Sequence, residues 1–139
     1  MEYRRLGSTG LRISRLGLGC GCFGGIGSAS PFYGKGESEP EAFALMDRAW
    51  EAGINFFDTA DAYGGGLSET FIGHWLKQKG ARVYLGAIHH MDTFAQRIAT
   101  ARKYLPEFGV GAYCGFGRMP PSDIPKVLEE HQQAIKLAK

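Results

Sequence analysis

The feature that most constrains this chain is an alternation of short apolar runs with longer amphipathic stretches, repeated four times within 139 residues. The apolar runs are RLGLGCG at 15–21, INFFDTA at 54–60, RVYLGAIHH at 82–90 and FGVGAYCGFG at 108–117. Each has strand length, and each is followed by a polar or glycine-rich loop and then by apolar residues at helical spacing. Strands alternating with helices point to a parallel sheet with helices packed outside it. Ahead of them, YRRLGSTGLRIS at 3–14 reads as two short strands around Gly7-Ser8-Thr9-Gly10, a hairpin signal.

Helix boundaries follow from local chemistry. Ser38 and Glu41 have capping-box spacing and Pro40 suits the first turn, so a helix is predicted from Ser38. It carries Ala42, Leu45, Met46, Ala49 and Trp50 on one stripe, with Gly53 as its stop. A second helix is predicted from Ser68, with Phe71, Trp75 and Leu76 on one face. A third, capped by Asp92, carries Phe94, Ile98, Ala101 and Leu105. A last, capped by Ser122 with Pro125 in its first turn, carries Ile124, Val127, Leu128, His131 and Ile135.

Four strand-helix units make half of a closed eight-unit barrel, which typically needs about 250 residues. The predicted fold class is therefore α/β, a partial TIM-like barrel of about four units with an N-terminal hairpin. The expected organisation is one truncated or fused barrel domain, with 1–80 and 81–139 as its two parts. Such a half barrel has open edge strands and a partly uncovered inner face. It is expected to pair with a second copy that completes the barrel, to close imperfectly, or to be marginally stable.

Charge and apolar content narrow the function classes. The formal charge is +2 with both signs interspersed, so no basic block predicts nucleic-acid binding. No run approaches the ~18 apolar residues of a membrane span. MEYRRLGSTG lacks a signal peptide's apolar centre, so the expected location is cytoplasmic. Three cysteines, an odd number, fit a reducing compartment better than a disulfide framework.

The stretch that carries chemistry is Phe57-Asp58-Thr59-Ala60-Asp61-Ala62-Tyr63, at the C-terminal end of the second strand. In barrels that end is where reactions occur. A carboxylate ending the strand and a phenol in the following loop can both face the mouth. Carbonyl reduction needs a hydride donor and a proton donor at the carbonyl oxygen. A free phenol, with pKa near ~10, is a poor acid at neutral pH, and a nearby cation would lower that value.

YRRLGSTGLRISRLGLG followed by FDTADAYGGGLSETFIGHWLK resembles the opening of an aldo-keto reductase, over about residues 1–80. The resemblance implies a (β/α)8 barrel that binds NADPH and reduces small-molecule aldehydes and ketones, with the hairpin plugging the barrel bottom. It places the catalytic aspartate on Asp58 and the proton-donating tyrosine on Tyr63. Gly19 and Cys20, where the first strand approaches the cofactor, are the implied cofactor neighbours together with Asp58. Glu69 matches the motif's acidic residue and reads as a helix-start feature. The family's catalytic lysine, expected at the end of the third strand, has no counterpart in VYLGAIHH. The catalytic histidine that the family carries on its fourth strand has a stand-in in His89 if one unit has been lost. The late loops that hold the adenosine phosphate have no matching sequence. Weak or absent turnover is expected.

Residues from about 82 to 139 resemble, more faintly, the C-terminal part of cobalamin-independent methionine synthase. That resemblance would make Cys114 a zinc ligand and the chain a fragment of a zinc-dependent methyltransferase barrel. A further alternative is a non-catalytic half-barrel remnant or assembly subunit.

Other motifs have plainer readings. Gly19-Cys20-Gly21-Cys22-Phe23-Gly24 fits G-x-G-x-x-G, but no helix is predicted to open there, which argues against a dinucleotide fingerprint. Cys20 and Cys22 are too closely spaced for a usual zinc pair and read as small buried hydrophobes, so no metal is expected. His89 and His90 are adjacent on a strand, so at most one points into a site. His74 and His131 read as helix-surface or boundary residues, and Trp50 and Trp75 as core.

Overall fold

Gly7 and Gly10 take positive φ angles of 54° and 77°. They turn the chain back between β1 (Tyr3–Arg5) and β2 (Arg12–Ser14), which pair antiparallel with Tyr3 opposite Ser14. The computed structural model of the chain describes residues 1–79, 83–86, 91–105, 107–111 and 119–138. The chain divides into two compact units, Met1–Gly80 and Ala81–Lys139.

In the first unit, β3 (Leu18–Gly19) is followed by a long loop, α1 (Glu39–Glu51), β4 (Phe57–Asp58) and α2 (Leu67–Lys79). β3 and β4 pair in parallel, Leu18 with Phe57 and Gly19 with Asp58. The hairpin is fastened just ahead of β4. The Asn55 side chain accepts from the Ser14 N–H at 2.7 Å and donates to the Arg12 carbonyl at 3.0 Å. The Tyr3 hydroxyl donates to the Gly53 carbonyl at 2.9 Å.

α1 begins where its capping residues dictate. The Glu41 carboxylate accepts from the Ser38 N–H at 2.8 Å and from its hydroxyl at 2.6 Å, which holds the Glu41 carboxyl below its ordinary pKa. Gly53, at φ 85°, ends the helical run. Ala42, Met46 and Ala49 are buried, whereas Leu45 and Trp50 are exposed. The buried stripe is thus narrower than its spacing predicts, because α1 meets its neighbours along one edge only. Trp50 still packs edge-on against Trp75, with ring centroids 5.8 Å apart.

The core of this unit gathers Cys20, Phe23, Ala42, Met46 and Trp75, with Leu18, Phe57 and Phe71 against it. Trp75 is its largest member and only 1% exposed. Its indole N–H donates to the Asp47 carboxylate at 2.9 Å, and Lys79 pairs with Asp47 at 3.0 Å. These two contacts link α2 to α1 and hold the Asp47 carboxyl below its usual pKa.

In the second unit, β5 (Val83–Gly86) and β6 (Phe108–Gly111) pair in parallel, flanked by α3 (Phe94–Ala101) and α4 (Ile124–Ala138). Phe94, Ile98 and Ala134 form its core, with Met91, Phe108 and Val110 against them. Tyr84 and Gly109 are register partners, and a Cβ on Gly109 would strike the Tyr84 ring. Two expectations shift here. Thr93, not Asp92, is the N-cap of α3. A 3-10 turn at Pro121–Asp123 precedes α4, so Ser122 lies in that turn and does not cap the helix. On α4 the buried residues are Val127 and Ala134, while Leu128 and Ile135 are exposed.

The order is therefore hairpin, then four strand-helix units, an α/β fold as expected. The strands are shorter than the apolar runs that contain them. Among the described residues every sheet has two strands, so no barrel closes. Among the same residues no helix is long and apolar enough to cross a membrane.

Removing the Trp75 side chain deletes the largest core group and leaves Asp47 without its indole donor. Trp75→Ala should destabilise the protein by about 3–5 kcal/mol, read by urea denaturation. A loss below about 1 kcal/mol would contradict the placement of Trp75 at the core centre.

Candidate active site

β3 and β4 run in parallel, so both deliver their C-terminal ends to the same edge. Gly19 and Asp58 are the register partners there. The Cys20 N–H donates to the Asp58 carbonyl at 2.8 Å, which carries the pairing one residue further. The Asp58 side chain is exposed beyond the strand end. Space over Gly19 is open, since a Cβ built there would have no heavy atom within 4 Å.

Tyr63 opens a 3-10 turn, Tyr63–Gly66, between β4 and α2. Its N–H donates to the Ala60 carbonyl at 3.1 Å. Its ring lies over Gly21, where a Cβ would stand 3.7 Å from the nearest ring carbon. The ring therefore stands against the residue two positions past the end of β3. Gly19 and Asp58 thus lie at the C-terminal end of the two-stranded sheet, and Tyr63 follows in the loop after β4 with its ring beside Gly21.

The glycines after β3 and β4 allow this close approach. Gly64 has φ 58°, and a Cβ on it would stand 2.5 Å from the Phe23 carbonyl oxygen. The Gly64 N–H donates to the Gly27 carbonyl at 3.0 Å, and the Gly27 N–H donates to the Gly21 carbonyl at 2.7 Å. Backbone meets backbone, and the loop after β3 becomes the wall beside Tyr63. No helix opens at Gly24; the chain makes a 3-10 turn at Ser30–Phe32 before α1. That layout excludes a dinucleotide fingerprint at this glycine run.

Cys20 is the small buried hydrophobe that its reading predicts. Its side chain is fully buried, and the thiol points to the Leu18 carbonyl at 3.7 Å. Its N–H and carbonyl are both engaged, by Asp58 and by Ser68. The side chain of Cys20 therefore belongs to the core beneath the strand ends. Cys22 differs from the sequence reading, being exposed. The chain leaves β3 at Gly19 and turns through Gly21, which swings Cys22 outward while Cys20 stays in the core.

Ser68 is the residue that the sequence reading assigned only to a helix start. It is fully buried. Its hydroxyl donates to the Cys20 carbonyl and lies 2.8 Å from the Thr59 hydroxyl. A carbonyl cannot donate, and a hydroxyl has one proton. Thr59 must therefore donate to Ser68. The small hydroxyl residues beside the motif were the available signal, but their convergence is a tertiary property.

Glu69 lies in the first turn of α2, and its carboxyl is raised above its ordinary pKa by burial and then by the charge of Asp61. His89 and Cys114 lie outside the described residues. Among the described residues no three His, Cys, Asp or Glu side chains gather as a metal site. β5 (Val83–Gly86) carries no lysine.

Burial, followed by the Asp58 charge, pushes the Cys20 thiol up to about 12. The sign follows directly. The folded state keeps its proton where an unfolded thiol loses it, so this contribution to stability is present below about pH 9 and is lost as pH rises toward 12. In the native protein at pH 8, iodoacetamide should modify Cys22 and leave Cys20 unmodified, read by peptide mass spectrometry. Equal labelling of the two would contradict this placement.

Comparison with known proteins now bears on the site. A sequence model of the aldo/keto reductase family matches residues 15–87, just over half of the chain. An uncharacterized oxidoreductase of Bacillus subtilis, YrpG, is 46% identical over 86 residues, which are 59% of this chain and 23% of that protein. A versiconal hemiacetal acetate reductase of Aspergillus parasiticus is 42% identical over 79 residues, 56% of this chain and 22% of that protein. The matched segment thus spans about a quarter of these relatives' length. Among solved structures, an aldo-keto reductase from Bacillus halodurans aligns over 96% of this chain and 47% of its own, with TM-score 0.55 and 24% identity. At that identity the likeness speaks to fold alone, and it identifies the α/β arrangement as part of such a barrel. The matches support the aldo-keto reductase resemblance and do not support the methionine synthase one. With Asp58 and Tyr63 inside the matched segment and at one strand end, the chain belongs to the aldo/keto reductase family.

Proposed function

We propose that this chain carries an NADPH-dependent carbonyl-reducing site of aldo-keto reductase type, acting weakly on aldehydes or ketones. One observation carries the reading: Tyr63 leans on Gly21 beside the strand ends where Gly19 and Asp58 are partners. Family membership supports it, as do relatives whose names include a reductase and a pyridoxal 4-dehydrogenase.

The open space above Gly19 and the exposed Asp58 carboxylate fit the reacting end of a nicotinamide cofactor. When bound there, NADPH supplies a hydride to the carbonyl carbon. Gly19 leaves room for the ring, and Asp58 orients groups at the mouth. Tyr63 holds the proton that the carbonyl oxygen takes up. The glycine loop after β3 walls off one side and limits water around the phenol. The run VYLGAIHH carries no lysine of the kind that would stabilise a phenolate, and slow turnover is the expected result. The reading extends to His89 as an assisting group.

Loss of absorbance on NADPH oxidation with simple aldehydes tests the proposal. A slow rate is expected, and Tyr63→Phe should lower it at least about 100-fold with little change in KM. An NADPH fluorescence titration that shows no binding would contradict the proposal, as would a Tyr63→Phe rate equal to that of the parent.

The unpaired outer edges of the two-stranded parallel sheets, seen among the described residues, favour a second reading. Exposed strand edges invite pairing with another chain. Self-association of two copies is the form this would take. Light scattering on the purified protein should then give the dimer mass, and a monomer mass at all concentrations would remove this reading.

A further inference from the structure

Tyr63 sits within a ten-residue loop, Thr59 to Ser68, whose two ends meet through their side chains. The Thr59 and Ser68 hydroxyls are 2.8 Å apart. Ser68 passes its own proton to the Cys20 carbonyl at 2.8 Å. That carbonyl belongs to the peptide joining Cys20 to Gly21, and Gly21 is the residue on which the Tyr63 ring rests. Three segments converge here: the end of β3, the residue after Asp58 on β4, and the first turn of α2. Ser68 is fully buried. Because the Ser68 proton goes to the Cys20 carbonyl, the order is fixed, Thr59 to Ser68 to Cys20.

We propose that Thr59 and Ser68 form a positioning clasp that sets where the Tyr63 phenol stands relative to Asp58. The inference rests on the reading that Asp58 and Tyr63 act at one carbonyl. The clasp closes the base of the loop carrying the phenol and joins it to the strand that carries the ring's support. Neither hydroxyl touches the reacting atoms. Removing the Thr59 hydroxyl opens the base of the loop and leaves Ser68 without its donor. The ring then loses its fixed place against Gly21 while the core around Trp75 stays packed.

The test compares Thr59→Val, which keeps shape and loses the hydroxyl, with Thr59→Ser, which keeps the hydroxyl. Each protein carries 3-fluorotyrosine, and the Tyr63 fluorine resonance is assigned through Tyr63→Phe. Thr59→Val should shift or broaden the Tyr63 resonance and leave that of Tyr84 unchanged. Thr59→Ser should restore the parent signal. Where the parent turns over, Thr59→Val should lower kcat roughly tenfold to a hundredfold with KM nearly constant. An unchanged Tyr63 resonance in folded Thr59→Val would overturn the clasp, and so would equal disturbance in Thr59→Ser. Should Thr59→Val not fold, Thr59→Ala is read in the same way. A parent protein that never oxidises NADPH contradicts the reductase reading alone, because the fluorine signal reports geometry without turnover.

Discussion

The buried Ser68 hydroxyl is the contact on which the rest of the mouth depends. It takes a hydrogen bond from Thr59 and gives one to the Cys20 carbonyl, so it joins two strands and a helix at a single oxygen. Without the Cys20 carbonyl, the fully buried Ser68 hydroxyl would be an unmet polar group, a cost of about 1–3 kcal/mol. Asp58 precedes Thr59 and Gly21 follows Cys20, so the clasp joins the residues next to the carboxylate and to the phenol's support.

Around this contact the packing is divided between apolar and glycine surfaces. Below the strand ends, Cys20, Phe23, Met46 and Trp75 exclude water and fix α1 and α2 to the strands. Above them, Gly21, Gly27 and Gly64 let backbone approach backbone, with N–H to carbonyl distances of 2.7 Å and 3.0 Å. A side chain at Gly64 would push the loops apart, since a Cβ there stands 2.5 Å from the Phe23 carbonyl oxygen, whereas Gly27 has open space and is set apart by its positive φ of 62°. The thiol of Cys20 belongs to the lower layer, where its neutral form fits the apolar surroundings.

Much of this was legible in the sequence, and the reasons differ by residue. The hairpin, the alternation of strands and helices, and the start of α1 are local signals: a turn with two positive-φ glycines, runs of fixed period, and Glu41 reaching back to Ser38. Asp58 and Tyr63 were legible because their string matches a family whose motif is contiguous. Cys22 was misread because a strand's alternation ends where Gly21 turns the chain. Leu45 and Leu128 were placed inside because helical spacing marks an apolar stripe but not how much of it a neighbour covers. Ser68 was read as a helix start alone because its partner Cys20 lies 48 positions away. Ser122 failed as a cap because Pro121 opens a 3-10 turn there, and spacing does not separate the two outcomes.

The central claim is that Gly19, Asp58 and Tyr63 share one mouth where a nicotinamide reaches a carbonyl. Gly19 offers the most direct probe: it lies outside the positive-φ glycines and has open space above it, so a side chain there alters the mouth without straining the backbone. Saturation-transfer NMR on NADPH, with the parent protein and with Gly19→Leu, measures which end of the cofactor touches the protein. The account predicts saturation of the nicotinamide protons in the parent and its loss in Gly19→Leu. Equal nicotinamide saturation in both proteins, or none in either, would contradict it.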